Sequence, residues 1–260
     1  MERTIEAVIF DWAGTTVDFG CFAPVQAFIS AFEEFGITPT VEEVRKPMGM
    51  LKRDHIKTMM NMERIQKEWI RIHERNFTEE DVDRVYEASE NGILKILDGF
   101  AKPKPYVLET VKDLREKGIK IGSTTGYTDE MMAIVVPKAE ENGYAPDCWF
   151  SPNSVGNMGR PYPYMIFKNL QELKVSSVEN VIKVGDTVSD IKEGLAAGVI
   201  TVGVMEGSSI MALSEEQYDV LSAEEKQTAC EKVRKVYEDA GADYVIKNMS
   251  ELPALVERLS

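Results

Sequence analysis

The sequence predicts an α/β fold, a doubly wound, Rossmann-like parallel sheet with an inserted helical domain. Three observations lead there. Apolar runs of strand length recur along the chain, helical patterns fill the intervals between them, and one long early stretch has helical periodicity but no strand-like run.

The first run, Ala7-Val-Ile-Phe10, ends at Asp11 and a turn containing Gly14. Residues 21–99 then break the alternation. Ile65, Trp69 and Ile72, and later Val82, Val85, Ser89 and Ile93, recur at helical spacing. The expected organisation is therefore a core of residues 1–20 and 100–260, with a helical cap of residues 21–99 inserted after the first strand. Ala101-Lys-Pro-Lys-Pro105 marks the return, because its prolines interrupt any helix and suit a hinge. Beyond it, Val107, Leu108, Val111 and Leu114 predict a helix stopped by Lys117-Gly118, and Ile119-Lys-Ile-Gly122 reads as the next strand. Val181-Ile-Lys-Val184 is a further strand, followed by a helix through Val188, Ile191 and Leu195 that ends at Ala197-Gly198. Val199-Ile-Thr-Val202 and Tyr244-Val-Ile246 complete the set of runs, and the charged stretch from Leu213 to Gly241 reads as solvated helix.

Composition narrows the function classes. The 260 residues are 43% hydrophobic and 28% charged, enough for a sizeable core and unlike a disordered or collagen-like chain. A net charge of −14 repels nucleic acid and anionic membranes, and no long Lys/Arg run offsets it. An anion site in such a chain needs local compensation from a metal, a cation or a helix N-terminus. No apolar run is long enough to span a bilayer, and the first ten residues lack a secretory pattern. Three cysteines, Cys21, Cys148 and Cys230, form neither a metal spacing nor a disulfide framework, so a reduced, cytoplasmic protein is expected.

Chemistry is concentrated where the runs end. Asp11 leaves the first strand at its carboxyl end, the edge where open parallel sheets bind ligands; taken alone, an Asp after a strand is more often a turn-former or a helix cap. Val184-Gly-Asp186-Thr-Val-Ser-Asp190 repeats the arrangement with two carboxylates four residues apart. Carboxylates grouped with Asp11 suit a hard divalent cation such as Mg2+, whereas Asp186 or Asp190 singly would do as a helix cap near Thr187. Ser123-Thr-Thr125-Gly126-Tyr127 offers hydroxyls and an amide to an anion. Arg160, in Gly159-Arg-Pro-Tyr-Pro163, begins a proline-primed helix and can add a fork of donors.

Asp11, Thr125, Arg160 and Asp186 stand in the order and context of four motifs, and the sequence resembles the haloacid dehalogenase superfamily over essentially its whole length. The resemblance implies that Asp11 is a nucleophile that becomes aspartyl-phosphate, that Thr125 and Arg160 bind phosphate, and that Asp186 holds magnesium. One departure is informative: the second acid of the usual phosphatase motif is here Ala13. A leaving alkoxide would lack its general acid, a contribution of about 10² to 10⁴ in rate. A carbon leaving group needs an electron sink instead, and a lysine imine is one.

Lys52 is the candidate for that imine, with Lys46 a rival on spacing alone. Cations crowd Lys52 in sequence, which would disfavour its protonated form if they stay close in the fold. An unperturbed lysine is only about 0.04% free amine at pH 7. Phe10-Asp-Trp-Ala-Gly-Thr-Thr-Val-Asp18, Gly20-Cys-Phe-Ala-Pro24, Arg45-Lys-Pro-Met-Gly49 and Gly122-Ser-Thr-Thr-Gly-Tyr127 resemble the phosphonatase branch of the superfamily. Gly159-Arg-Pro-Tyr-Pro163 and Lys183-Val-Gly-Asp-Thr-Val-Ser-Asp190 extend the match. The branch implies hydrolysis of the carbon–phosphorus bond of phosphonoacetaldehyde in phosphonate catabolism, with Lys52 forming a Schiff base. It implies magnesium held by Asp11, the Ala13 carbonyl and Asp186, with Asp190 in a supporting position. His55 is a candidate proton relay, and Cys21, Met48, Gly49, Gly126 and Tyr127 candidate substrate contacts. A homodimer is expected, as is a cap that closes on the core to bring Lys52 to Asp11. A magnesium-dependent phosphomonoesterase or phosphomutase on the same scaffold is the nearest alternative, and an acidic phosphate-binding protein without turnover a more distant one.

Overall fold

The computed structural model describes residues 4–48 and 52–260. By its internal contacts the chain forms two compact units, one from the chain up to Cys21 together with Ala101–Ser260, the other Phe22–Phe100.

The larger unit opens with β1 (Ala7–Phe10), whose four residues are all buried. The smaller unit intervenes, and among the described residues its elements are helical: α1 (Phe22–Glu33), α2 (Val41–Arg45), α3 (Lys52–Met60), α4 (Glu63–His73) and α5 (Glu79–Leu94). The chain then returns through α6 (Val107–Glu116), β2 (Lys120–Thr124), α7 (Asp129–Glu141), β3 (Cys148–Phe150), α8 (Tyr164–Glu172), β4 (Val181–Gly185) and α9 (Val188–Ala197). It ends with β5 (Ile200–Val204), α10 (Glu215–Asp219), α11 (Ala223–Asp239), β6 (Tyr244–Ile246) and α12 (Leu252–Leu259).

The six strands are parallel, in the order β3-β2-β1-β4-β5-β6. Sequence order reverses on either side of β1, which makes its carboxyl end the topological switch point where such sheets hold ligands. Phe10 is in register with both Ser123 and Val184, so Asp11, Thr125 and Asp186 emerge from the same edge of three adjacent strands. Near-continuous apolar strands follow from burial on both faces. The predicted strands are all present; β3 is the addition, a three-residue, half-buried edge strand too short to register as a run.

Helix α6 buries Val107, Val111 and Leu114 but leaves Leu108 exposed. In α9 the buried face is Asp190, Ile191, Glu193, Gly194 and Ala197, whereas Leu195 is 45% exposed. Two acids thus occupy a face that hydropathy would fill with carbon. Helix α8 starts at Tyr164, so Arg160 lies in the preceding loop rather than on the helix itself.

The smaller unit has its own core. Phe28, Phe32, Val44, Ile56, Met59, Met60, Ile65, Trp69, Val82 and Val85 form one buried cluster. Thr40 and Thr78 cap α2 and α5 in reciprocal capping boxes with Glu43 and Asp81, which fixes where those helices begin. Trp69 sits at the centre, its ring 5.8 Å from Phe35 and 4.1 Å from His73. Trp69→Ala should cost about 3–5 kcal/mol of this unit's stability. Urea unfolding followed by circular dichroism checks it, and an unchanged midpoint would mean that the cluster does not hold the unit together.

Candidate active site

Asp11 is delivered by β1, its own amide donating to Val184 O of β4 at 3.0 Å. The carboxylate is buried and divided between two partners: Arg160 Nη2 donates to Oδ1 at 2.6 Å and Thr15 Oγ1 to Oδ2 at 3.1 Å. Thr15 Oγ1 also lies 3.3 Å from Asp186 Oδ1. One hydroxyl has one proton, so it cannot satisfy both carboxylates at once.

Asp186, from the end of β4, is fully buried and accepts from the Ser209 amide at 2.7 Å through Oδ2. Burial first, then the charges of Asp11 and Asp190, push its carboxyl up to about 7. Asp11, Asp186 and Asp190 have ligand atoms within 4.8 Å of one another. Crowded, buried carboxylates short of donors fit a hard cation, which would reverse the repulsion that lifts Asp186. The backbone helps: Gly14 has φ +83°, and a Cβ there would stand 2.1 Å from Asp186 Oδ2. Only glycine lets this loop pass so close to the acid.

Asp190 serves two purposes with its two oxygens. Oδ2 accepts from the Thr187 amide at 3.2 Å and hydroxyl at 2.6 Å, closing the capping box of α9. Oδ1 faces Arg160 Nη1 at 3.1 Å and Lys183 Nζ at 2.9 Å. Burial works to raise its carboxyl, but Arg160 and Lys183 outweigh it and hold the group below the usual range.

The turn after β2 leaves the same sheet edge as these acids. Thr125 is buried, and its Oγ1 accepts from the Tyr127 amide at 3.0 Å, which tightens the turn that presents Gly126. The Tyr127 phenol is buried with no partner for its oxygen among the described residues, and burial raises its pKa well above the ordinary value. Cys21 is buried with φ 54°, its amide donating to Asp18 O at 2.8 Å. Ala13 is half-buried and places no acid beside Asp11.

Several residues that matter here are absent from the sequence-based set. Lys104, just after the return from the helical unit, is buried and donates to Gly14 O and, at 2.7 Å, to Glu206 O, so one ammonium ties two loops of the site together. Burial lowers it to about 8 against the pull of Asp186, Glu206, Asp18 and Asp11. Lys183 and Glu193 are fully buried behind Arg160. A lysine inside an otherwise apolar strand, and an acid three residues beyond Asp190 on the same helix face, were the available signals.

In the smaller unit, Lys52 is half-buried and donates to Glu90 Oε1 at 2.6 Å. Burial is the main influence lowering its ammonium, and Glu90 opposes it. The crowding cations expected from sequence do not carry the effect, because Arg53 turns away to Asp83 at 2.6 Å and Glu79 at 2.9 Å. Lys46 is exposed at the end of α2. Met48 packs half-buried against the unit's apolar cluster, and Gly49 lies outside the described residues.

His55, one turn along α3 from Lys52, is buried, stacks on Phe28 at 4.3 Å, and has no partner for Nε2 among the described residues. Burial, partly offset by the Val44 backbone, lowers the ring from 6.5 to about 4. The folded ring therefore holds its proton more weakly than the unfolded one. Its contribution is full above pH 6.5 and is lost as pH falls toward about 4. Between about pH 7.5 and about pH 5 the protein should lose about 2 kcal/mol through this group. His55→Leu should flatten that dependence in urea unfolding, and an equal slope in variant and parent would show that the ring is not held neutral.

With this geometry in place, comparison with known proteins is direct. The model of the haloacid dehalogenase-like hydrolase family matches residues 5–198. The phosphonoacetaldehyde hydrolase of Lysinibacillus sphaericus is 54% identical over 98% of this chain and 95% of its own length. That of Bacillus cereus strain AH820 is 49% identical over 98% and 96%. The crystal structure of a phosphonoacetaldehyde hydrolase-like protein from Oleispira antarctica superposes with a TM-score of 0.92, at 37% identity, over 100% of this chain and 94% of that one. A sheet edge bearing Asp11, Thr125, Arg160 and Asp186, a family match across most of the chain, and relatives near half identity over their full length agree: the chain belongs to the haloacid dehalogenase-like hydrolases and, within them, to the phosphonoacetaldehyde hydrolase family.

Proposed function

We infer that this protein hydrolyses phosphonoacetaldehyde to acetaldehyde and phosphate. The observation that carries the reading is a division of chemistry: a phosphoryl site at Asp11 without a leaving-group acid at Ala13, and a lysine, Lys52, partly withdrawn from water in the helical unit. Full-length similarity to curated phosphonoacetaldehyde hydrolases supports it.

The Lys52 amine adds to the aldehyde carbon and loses water to give an iminium. Asp11 Oδ then attacks phosphorus in line with the carbon–phosphorus bond. As the aspartyl-phosphate bond forms, the carbon–phosphorus electron pair moves into the iminium to leave an enamine, so no proton is needed on the leaving atom. Protonation of the enamine carbon and addition of water release acetaldehyde and restore Lys52, and a second water frees phosphate from Asp11. Arg160 and the Thr125-Gly126 turn meet the phosphoryl oxygens with donors already in place. Asp11, the Ala13 carbonyl and Asp186 would hold Mg2+, with Asp190 in support. When bound, the cation would supply charge neutralisation for the phosphoryl group. The chemistry requires Lys52 and Asp11 to meet across one substrate with water excluded. We further propose that the protein acts as a homodimer in a reducing cytoplasm, consistent with its three free cysteines.

Borohydride in the presence of phosphonoacetaldehyde should trap an adduct that peptide mapping places on Lys52; an adduct elsewhere removes the lysine from the mechanism. Lys52→Arg keeps the charge but not the imine chemistry, and Asp11→Asn removes the nucleophile; each should lower phosphate release by at least about a thousandfold. Chelation should abolish turnover and Mg2+ restore it, and phosphate release that survives exhaustive chelation would refute the metal requirement. Faster turnover of a phosphate ester than of the phosphonate would favour the phosphomonoesterase alternative.

A further inference from the structure

Arg160 projects from a loop, so its backbone does not fix which way the guanidinium faces. All three nitrogens are nevertheless engaged. Nη2 donates to Asp11 Oδ1 at 2.6 Å, Thr124 O at 3.0 Å and Thr124 Oγ1 at 2.9 Å; Nη1 meets Asp190 Oδ1 at 3.1 Å; and Nε donates to Glu193 Oε2 at 3.0 Å. The Nε–H contact fixes the plane of the fork, because the guanidinium is rigid and planar, so holding the Nε–H direction on Glu193 also holds both Nη groups.

Glu193 is fully buried on α9, three residues after Asp190 and on the same face. Its Oε2 also accepts from the Thr124 hydroxyl at 3.0 Å. Lys183 completes the group from β4, donating to the same hydroxyl at 3.0 Å and lying 2.9 Å from Asp190 and 3.6 Å from Glu193. Thr124 Oγ1 is thereby saturated, giving its proton to Glu193 and receiving from Arg160 and Lys183. A carboxylate taken wholly out of water costs several kcal/mol unless closely paired. Glu193 reaches none of the atoms expected to react. Arg160 and Lys183 offset Asp190 and Glu193, which leaves Asp11 and Asp186 as the carboxylates open to a cation.

We propose that Glu193, backed by Lys183 and Thr124, is a positioning residue that fixes the plane of the Arg160 guanidinium over Asp11 and so shapes the phosphoryl subsite. The proposal rests on the phosphoryl-transfer reading of the site. Without Glu193 the arginine keeps its charge and its reach to Asp11 but loses its fixed plane.

The test measures binding of inorganic phosphate by calorimetry to the Mg2+-loaded protein, so it does not depend on turnover or on the identity of the organic substrate. Glu193→Ala should weaken phosphate about tenfold to a hundredfold, and Glu193→Gln, which keeps an acceptor for Nε, should recover part of the loss. Arg160→Ala should weaken binding at least as much. In the double variant Arg160→Ala/Glu193→Ala the Glu193 change should then have almost no further effect. Losses that simply multiply in the double variant, or tight phosphate binding by a folded Glu193→Ala protein, overturn the proposal. If Glu193→Ala does not fold, the same cycle built with Glu193→Gln decides by the same criteria. Phosphate binding that shows this coupling in a protein unable to cleave phosphonoacetaldehyde would reject the assigned substrate and leave the positioning role standing.

Discussion

The core site is organised by the need to keep four carboxylates, Asp11, Asp186, Asp190 and Glu193, buried at one edge of a parallel sheet. Such a concentration of negative charge is unstable in a low-dielectric interior unless each group is matched. Arg160 and Lys183 answer Asp190 and Glu193, and Arg160 extends to Asp11. Asp186 is left with an amide, a shared hydroxyl and the field of Lys104, and is lifted to about 7 by burial and by its acidic neighbours. The imbalance lies at the carboxyl ends of β1 and β4, where unmatched buried carboxylates suit a hard cation.

The backbone is shaped around the same constraint. The loop after β1 folds back on itself, with Thr15, Thr16 and Val17 amides all donating to Trp12 O. Gly14 admits Asp186, and Lys104 holds the Gly14 carbonyl from below. The Lys104 amide donates to Thr16 O, and Pro103 bridges Val17, so the segment returning from the helical unit is stitched to the loop after Asp11. A change in that segment therefore has a short physical route to Asp11.

The helical unit solves a different problem. A lysine ammonium drawn out of water must be kept from becoming unstable. Lys52 is drawn partly out of water, which favours the neutral form, while Glu90 keeps the charged form tolerable. His55, buried and depressed, contributes a neutral ring at working pH rather than a second cation. The net negative surface of the chain is compatible with an anionic substrate only because the positive charge is local and sequestered.

Every strand run but β3, the helical insert and the residues at the strand ends were legible in the sequence, because periodicity and the turn after each strand are local properties. Asp11, Thr125 and Asp186 could be found that way, since each lies close after an apolar run. Lys183 and Glu193 could not be interpreted so: one sits inside an apolar strand and the other on a face that hydropathy assigns elsewhere, and only packing β4 and α9 against the Arg160 loop gives them partners. The source of the Lys52 shift was likewise misjudged, because sequence neighbours such as Arg53 are drawn to acids on another helix. Sequence determined which chemical groups arrive at the sheet edge and the helical insert. Tertiary structure decided which charges meet, because ion pairing and desolvation depend on distances across elements that no local pattern encodes.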